Sequence, residues 1–261
     1  MSRLSEVFKS DKKILNIYCT AGYPKLESTL PVMKSLQESG ADIIELGMPY
    51  SDPLADGETI QQSSTVALAN GMTIHKLFEQ LKDFRTTPAF GGSQGIPVVL
   101  MGYMNPVLQY GFEKFCEDAA AVGIDGLILP DLPAHEFEKT YRPILEKNNL
   151  DLIFLVTPET SEIRVRKLDS LSSGFLYAVS SSSTTGNEKD FSEVEKYLQR
   201  LQNYQLKNPI LVGFGIKDSK TFNAACKFAN GAIIGSAYIK IIQHAQSPEA
   251  ITKSFVHSIL N

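Results

Sequence analysis

Short apolar runs rich in Val, Ile, Leu and Phe recur along the chain, and this repetition constrains the fold more than any other feature. Each run is followed by a turn signal and then by a polar segment with helical spacing, which is typical of α/β proteins. The runs are almost continuously hydrophobic, as expected of parallel strands that are buried on both faces. The predicted strands are residues 14–20, 41–47, 97–103, 126–130, 151–157, 174–179, 209–214 and 231–235.

Eight β/α units in succession predict a (β/α)8 TIM barrel, and no linker divides the chain, so we expect a single domain over residues 1–261. The long interval after the second strand predicts two helices, at 58–69 and 73–85, one of them an addition to the basic unit. Ser2–Lys9 is expected to form a short helix that caps the bottom of the barrel, and two helices follow the eighth strand. A doubly wound open sheet is the alternative, but the first strand-turn lacks GxGxxG.

The composition excludes several classes of protein. The formal charge is −4 and the 25 Lys and Arg residues are spread along the chain, so no nucleic-acid partner is expected. The first residues lack the apolar segment of a signal peptide, and no run approaches the ~18 residues of a membrane helix, which favours a cytoplasmic protein. The three cysteines show no CxxC spacing and the four histidines no ligand spacing, so we expect buried thiols and no metal site.

Two carboxylates at the end of the second strand are the strongest candidates for chemistry. Glu45 lies inside an apolar strand, where burial raises the pKa of a carboxyl group that finds no partner, as a proton shuttle requires. Alternatively, Glu45 is a structural carboxylate that anchors a neighbouring strand. Asp56 lies on the loop that follows, where a wetter carboxylate stays ionised and takes a different role. Asp52, on the same loop, is interpreted as a turn former.

The last two barrel loops predict a phosphate site. Gly215 follows the seventh strand, and Gly235 and Ser236 end the eighth strand where a helix begins, so backbone N–H groups and the helix dipole favour an anion there. Tight packing of strand against helix is the alternative reading of each glycine. The small polar run at 180–187 follows the sixth strand on the same face and predicts a lid over the site.

These motifs together resemble the tryptophan synthase alpha chain family over essentially the whole length. The most specific match is the segment from Glu45 to Gly57, and the supporting matches are Tyr18–Gly22, 101–106, Leu129–Pro133, Thr184–Gly186, Gly213–Ile216 and Gly235–Ser236. The resemblance implies a lyase that cleaves indole-3-glycerol phosphate by a retro-aldol reaction into indole and glyceraldehyde 3-phosphate. It implies no metal or organic cofactor in this chain.

The resemblance also implies a role for each matching residue. Glu45 would carry the protons, Asp56 would accept a hydrogen bond from the indole N–H, and Tyr177 would lie near Glu45. An apolar slot for the indole ring would be formed by Tyr18, Ile60, Met101 and Ile128. The phosphate group would be bound by Gly186, Gly215, Gly235 and Ser236, with Thr185 beside them on the lid.

Members of this family work in α2β2 complexes, so the resemblance implies a beta-chain partner that carries pyridoxal phosphate and receives the indole. The expected contacts are the catalytic-face loops Pro49–Asp56, Asn105–Leu108 and Asp131–Pro133. Three alternatives stay open: a freestanding indole-releasing lyase, an allosteric module that activates the beta chain, and another phosphate-binding barrel such as a ribulose-phosphate epimerase-like enzyme. The last of these explains Gly215 and Gly235 but not the block from Glu45 to Gly57.

Overall fold

A computed structural model of the chain describes residues 2–90, 95–179, 191–213, 215–245 and 247–261. Within them, nine parallel strands form one sheet in the order β5-β4-β3-β2-β1-β9-β8-β7-β6. The strands are β1 (Ile14–Thr20), β2 (Ile43–Gly47), β3 (Val98–Met101), β4 (Gly126–Ile128), β5 (Asp151–Ile153), β6 (Leu155–Val156), β7 (Leu176–Val179), β8 (Ile210–Gly213) and β9 (Gly231–Ile234).

β5 and β6 are two halves of one barrel strand, interrupted at Phe154. β5 pairs with β4 and β6 pairs with β7, so this strand connects the two ends of the sheet. At the break, the Phe154 N–H donates to the hydroxyl of Ser172 over 3.0 Å, while the Phe154 carbonyl accepts the N–H of Tyr177 over 3.0 Å. The predicted strand 151–157 is therefore present with a kink, and the eight-unit barrel is confirmed over the open sheet.

Helices surround the barrel, and those predicted from the sequence are present. They are α1 (Arg3–Val7), α2 (Thr29–Ser39), α3 (Glu58–Ala69), α4 (Ile74–Leu81), α5 (Met104–Tyr110), α6 (Phe112–Ala121), α7 (Ala134–Glu136), α8 (Arg142–Lys147), α9 (Glu162–Leu171), α10 (Phe191–Asn203), α11 (Ser219–Cys226), α12 (Ser236–Ile242) and α13 (Pro248–Leu260). A π-helical turn, Phe137–Tyr141, joins α7 to α8. The helix expected at 73–85 is shorter, because α4 ends at Leu81 and a 3-10 turn, Phe84–Thr86, precedes Pro88.

The barrel interior is closed from below by the N-terminal helix. Leu4 of α1 is fully buried and packs into a cluster of inward-facing strand residues. That cluster consists of Ile14, Ile43, Val99, Ile128, Ile153, Phe175, Leu211 and Ile233. A much larger cluster lies between the outer faces of the strands and the helices. The inner cluster is therefore an apolar floor beneath the polar side chains that lie higher in the barrel.

Carboxylates fasten the N-terminal ends of the strands. Asp42 accepts the N–H of Leu15 over 2.9 Å, and Asp125 accepts the N–H of Val98 over 2.8 Å. Asp125 also forms ion pairs of 2.8 Å with Arg3 of α1 and with Arg85. The N-terminal end of a barrel typically contributes to stability rather than to catalysis. Here the ion pair of Asp125 with Arg3 also anchors the helix that carries Leu4.

We predict that Leu4→Ala lowers the free energy of unfolding by about 2–5 kcal/mol, because it opens a cavity in the barrel floor. Urea denaturation followed by circular dichroism measures the effect. Glu6→Ala on the same helix removes an exposed ion pair with Lys9 and is the control, with an expected change below about 1 kcal/mol. Equal effects of the two substitutions would show that the helix does not close the barrel.

Candidate active site

Glu45 lies on the inner face of β2 in the middle of the barrel. It pairs in register with Tyr18 of β1 on one side and with Val99 of β3 on the other. Its side chain is only 1% exposed. Burial and, to a smaller extent, the negative charge of Asp56 together raise the pKa of Glu45 to about 8. At neutral pH this carboxyl group is therefore mainly protonated.

Asn16 is the hydrogen-bond partner of Glu45. Its Nδ2 donates to Oε2 of Glu45 over 3.2 Å, and this bond opposes the rise in the pKa of Glu45. The side chain of Asn16 is fully buried, one inward position below Tyr18 on β1. Its Oδ1 has no hydrogen-bond partner among the residues that the structure describes. Of the two polar atoms of the amide, the one with a hydrogen-bond partner is therefore Nδ2, which faces the carboxyl group.

Asp56 lies on the loop between β2 and α3 and is less buried than Glu45. Burial raises the pKa of Asp56 to about 6, and a hydrogen bond from the Tyr103 hydroxyl opposes that rise. The same hydroxyl oxygen accepts the N–H of Ala55 over 3.1 Å, so Tyr103 anchors the loop next to Asp56. At neutral pH the two carboxyl groups hold different protonation states, Asp56 mainly charged and Glu45 mainly neutral. The sequence predicts the same difference in protonation between a buried glutamate and a wetter aspartate.

Two tyrosines border the carboxyl groups. Tyr18 of β1 and Tyr177 of β7 both have pKa values raised well above the usual tyrosine value, by burial first and also by the charges of Glu45 and Asp56. Each ring lies where a glycine leaves space. A Cβ atom on Gly47 would be 2.1 Å from the Tyr18 hydroxyl oxygen, and one on Gly213 would be 2.5 Å from the Tyr177 ring. Any side chain at these glycines would displace a tyrosine from the site.

The other predicted contacts of an indole ring lie around this group. Ile60 of α3 is buried, and a Cβ atom on Gly235 would contact both Ile60 and Tyr18 at 3.5–3.7 Å. Met101 is partly buried at the end of β3. Ile128 pairs in register with Met101 and is fully buried in the inner cluster, so its side chain belongs to the apolar floor. Ile60 and Gly235 therefore adjoin the ring of Tyr18, while Ile128 lies deeper.

The predicted phosphate residues follow β8 and β9 at the same end of the barrel. Gly215 has φ +40°, in the left-handed region that favours glycine, and a Cβ there would meet nothing within 4 Å. Gly235 directly precedes α12, and Ser236 is the first residue of that helix and exposed. Thr185 and Gly186 of the predicted lid lie outside the described residues.

The loops after β2, β3 and β4 are connected to one another on this face. Asn105 donates from Nδ2 to the Tyr50 hydroxyl oxygen over 3.0 Å, which joins the first two loops. Both carboxylate oxygens of Asp131 lie 3.0 Å from the Met104 nitrogen and accept its N–H at the start of α5, which joins the second loop to the third. The three segments that were predicted to contact a partner therefore form one linked surface, which includes Asp56.

Cys19, Cys116 and Cys226 are free and buried, as predicted. Within the described ranges, no group of three or more His, Cys, Asp or Glu side chains is arranged to hold a metal ion. None of the helices in the described part of the chain has the length and hydropathy needed to cross a membrane.

Sequence reasoning missed two residues that act on the carboxyl groups. Asn16 is a polar residue in an apolar strand, two positions before Tyr18, and period-two alternation places both on the inner face of the barrel. This alternation could have identified Asn16 as an inward-facing polar residue near Glu45. Tyr103 stands just after β3, and nothing in the sequence indicates that its hydroxyl anchors a loop after β2.

Comparisons with known proteins show extensive similarity to one family. A family model described as "Tryptophan synthase alpha chain" matches residues 4–259. Relatives of that name include one from Flavobacterium johnsoniae, 52% identical over 95% of this chain and 96% of its own, and one from Bacteroides thetaiotaomicron, 46% identical over 95% and 96%.

Solved structures give the same result. The tryptophan synthase subunit alpha of Legionella pneumophila superposes with a TM-score of 0.89 at 34% identity, covering 99% of this chain and 97% of that one. A chain of Mycobacterium tuberculosis tryptophan synthase in an aminoacrylate-bound form superposes with a TM-score of 0.85 at 31% identity, covering 99% and 98%.

We predict that Asp56→Asn lowers the pKa of Glu45 below about 8, because it removes a negative charge that disfavours the Glu45 carboxylate. The titration of Glu45 is measured by NMR with ¹³C-labelled glutamate, and its resonance is assigned by comparison with Glu45→Gln. Asp52→Asn, on the exposed part of the same loop, is the control and should leave the midpoint unchanged. An unchanged midpoint in Asp56→Asn would mean that the two carboxyl groups are not coupled.

Proposed function

Because the chain belongs to the tryptophan synthase alpha chain family, we propose that its site cleaves indole-3-glycerol phosphate with Glu45 as proton carrier and Asp56 as electrostatic partner. The enzyme is a lyase of tryptophan biosynthesis that releases indole and glyceraldehyde 3-phosphate. The observation that carries the residue assignment is the buried Glu45, with its pKa raised to about 8, beside the charged Asp56.

Glu45 acts twice in the proposed reaction. The protonated carboxyl group first donates its proton to C3 of the indole ring, which leaves positive charge on the ring nitrogen. The resulting carboxylate then takes the proton of the hydroxyl group next to the ring. The bond between that carbon and C3 breaks, its electron pair returns to the ring, and the hydroxyl carbon becomes the aldehyde of glyceraldehyde 3-phosphate. Glu45 ends protonated, ready for the next cycle.

Asp56 stabilises the intermediate between these steps. Its carboxylate accepts a hydrogen bond from the indole N–H, and the interaction strengthens when the ring becomes cationic. Tyr103 holds the loop of Asp56 in place through the N–H of Ala55. Tyr177, beside Glu45, limits the space around the reacting atoms, and Tyr18, Ile60, Met101 and Ile128 complete the apolar surroundings of the ring.

The phosphate group binds at the loops after β8 and β9. Gly215 and Gly235 allow the backbone N–H groups to approach the anion, and Ser236 adds a hydroxyl donor at the start of α12. The family resemblance implies that Thr185 and Gly186 contribute to phosphate binding as well. Binding at this remote group holds the indole ring between Glu45 and Asp56.

The family implies a beta-chain partner, and pyridoxal phosphate lies in that chain. We extend this to an α2β2 complex in the cytoplasm. In it, this chain is a single barrel domain over residues 1–261 that carries no cofactor of its own. The proposed contact is the linked surface of Pro49–Asp56, Asn105–Leu108 and Asp131–Pro133. Leu54 and Leu108 are 96% and 49% exposed on it, as suits an interface.

We predict that Glu45→Gln lowers kcat about 10³-fold, because glutamine has the shape of the glutamate but carries no transferable proton. Release of glyceraldehyde 3-phosphate is measured with a coupled dehydrogenase, in the presence of the beta chain. Glu38→Gln, at an exposed ion pair with Lys34, is the matched control and should keep wild-type turnover. Near wild-type turnover in Glu45→Gln would remove Glu45 from the role of proton carrier.

We predict that Gly235→Asp raises KM at least tenfold, because a carboxylate beside the phosphate group repels it. Gly235→Ala isolates the effect of the charge, since its Cβ would make only ordinary contacts with Tyr18 and Ile60. The same coupled assay measures both variants. Equal KM values for Gly235→Asp and wild type would place the phosphate elsewhere.

A further inference from the structure

The buried side-chain amide of Asn16 is hydrogen-bonded at only one of its two polar atoms within the part of the chain that the structure describes. Nδ2 donates to Glu45 over 3.2 Å, while Oδ1 has no hydrogen-bond partner among the described residues. The side chain is 0% exposed and lies just above the apolar floor formed by Leu4, Ile14 and Phe175. An amide placed in this way loses contact with water at both ends and regains a protein partner at one.

This arrangement opposes stability. Leaving a buried acceptor unpaired costs about 1–3 kcal/mol, and an apolar residue of similar volume avoids that cost. The neighbouring inward positions of the floor are filled by apolar side chains such as Ile14 and Ile43. Packing therefore does not account for an asparagine here, and its contact with Glu45 is the feature that distinguishes it from those neighbours.

An amide suits a carboxyl group that changes its protonation state. The NH2 end donates to a carboxylate, and the bond from Nδ2 to Oε2 of Glu45 in the structure is this arrangement. The carbonyl end accepts from a protonated carboxyl group. A half turn about the Cβ–Cγ bond exchanges the two ends without moving the backbone. Apolar side chains partner neither state of Glu45, and an aspartate would repel the carboxylate.

We propose that Asn16 is a positioning residue that keeps Glu45 hydrogen-bonded in both of its protonation states, by donating to the carboxylate and accepting from the acid. This inference rests on the proposed function, in which Glu45 passes through both states in each cycle. When Glu45 gives its proton to indole C3, the amide presents Nδ2 to the new carboxylate. When Glu45 takes up the hydroxyl proton, the amide presents Oδ1. The carboxyl group thus stays aimed at the substrate.

Other titratable groups are electrostatically coupled to Glu45. In the described part of the chain, the charge of Asp56 raises the pKa of Glu45. The charge of Glu45 in turn raises the pKa values of Tyr18, Cys19 and Tyr177. Burial raises the pKa of each of them, so at neutral pH Asp56 is the one that carries charge. A substitution at Asn16 leaves all of these titratable groups in place. Its effect on Glu45 can therefore be measured separately from theirs.

Asn16→Leu tests the inference, because leucine fills a similar volume with no polar atom. We expect a Tm equal to or above that of wild type, kcat about tenfold lower and KM within twofold. The NMR midpoint of Glu45 should rise. Both protonation states lose the hydrogen bond to Asn16, but the carboxylate loses a stronger bond than the neutral acid does. Asn16→Asp should lower kcat further and raise the midpoint of Glu45 as well. Ile17→Leu, on the outward face of the same strand, is the packing control.

Two results would overturn the inference. Wild-type kcat with an unchanged Glu45 midpoint in Asn16→Leu would show that the amide does not partner the carboxyl group in catalysis. A fall in Tm that accounts for the lost activity would make Asn16 a structural residue. Glu45→Gln separates this from failure of the proposed function: if that variant keeps its turnover, Glu45 is not the proton carrier, whereas an inactive Glu45→Gln with a normal Asn16→Leu refutes only the role of Asn16.

Discussion

Burial of one carboxyl group inside the barrel is the constraint on which the site depends. Glu45 lies above the apolar floor and away from water, so its pKa is raised to about 8 and it is mainly protonated at neutral pH. A carboxylate nearer the surface, Asp56, titrates lower and keeps its charge. The carboxyl groups of Glu45 and Asp56 thus provide a proton donor and an anion, because they are buried at different depths.

The two ends of the barrel divide stability from chemistry. At the N-terminal end, Asp42 and Asp125 accept backbone N–H groups at the strand starts, and Arg3 ties the capping helix to Asp125. At the C-terminal end, glycine rather than a larger residue stands at positions 47 and 213, where tyrosine rings enter the site. The glycines leave the space that the tyrosine rings fill. The C-terminal strand ends thus shape the pocket, as in other barrels.

Much of this architecture follows from the sequence, since buried parallel strands and the segment from Glu45 to Gly57 are patterns of neighbouring residues. The break at Phe154 was not predicted, because it depends on a hydroxyl group of Ser172 that lies far along the chain. Asn16 and Tyr103 were missed for the same reason. Their effects on Glu45 and Asp56 come from contacts between different strands and loops, which strand periodicity constrains but does not specify.

If the protonated form of the buried Glu45 begins the reaction, kcat/KM must depend on the ionisation of Glu45, because kcat/KM reports the free enzyme. Indole-3-glycerol phosphate cleavage is measured in the complex with the beta chain, from neutral pH to pH values above the midpoint of Glu45. We expect a loss of kcat/KM that begins near pH 8, as the proton donor ionises, and that is absent from the residual activity of Glu45→Gln. Activity that stays level or rises throughout the alkaline range would contradict it.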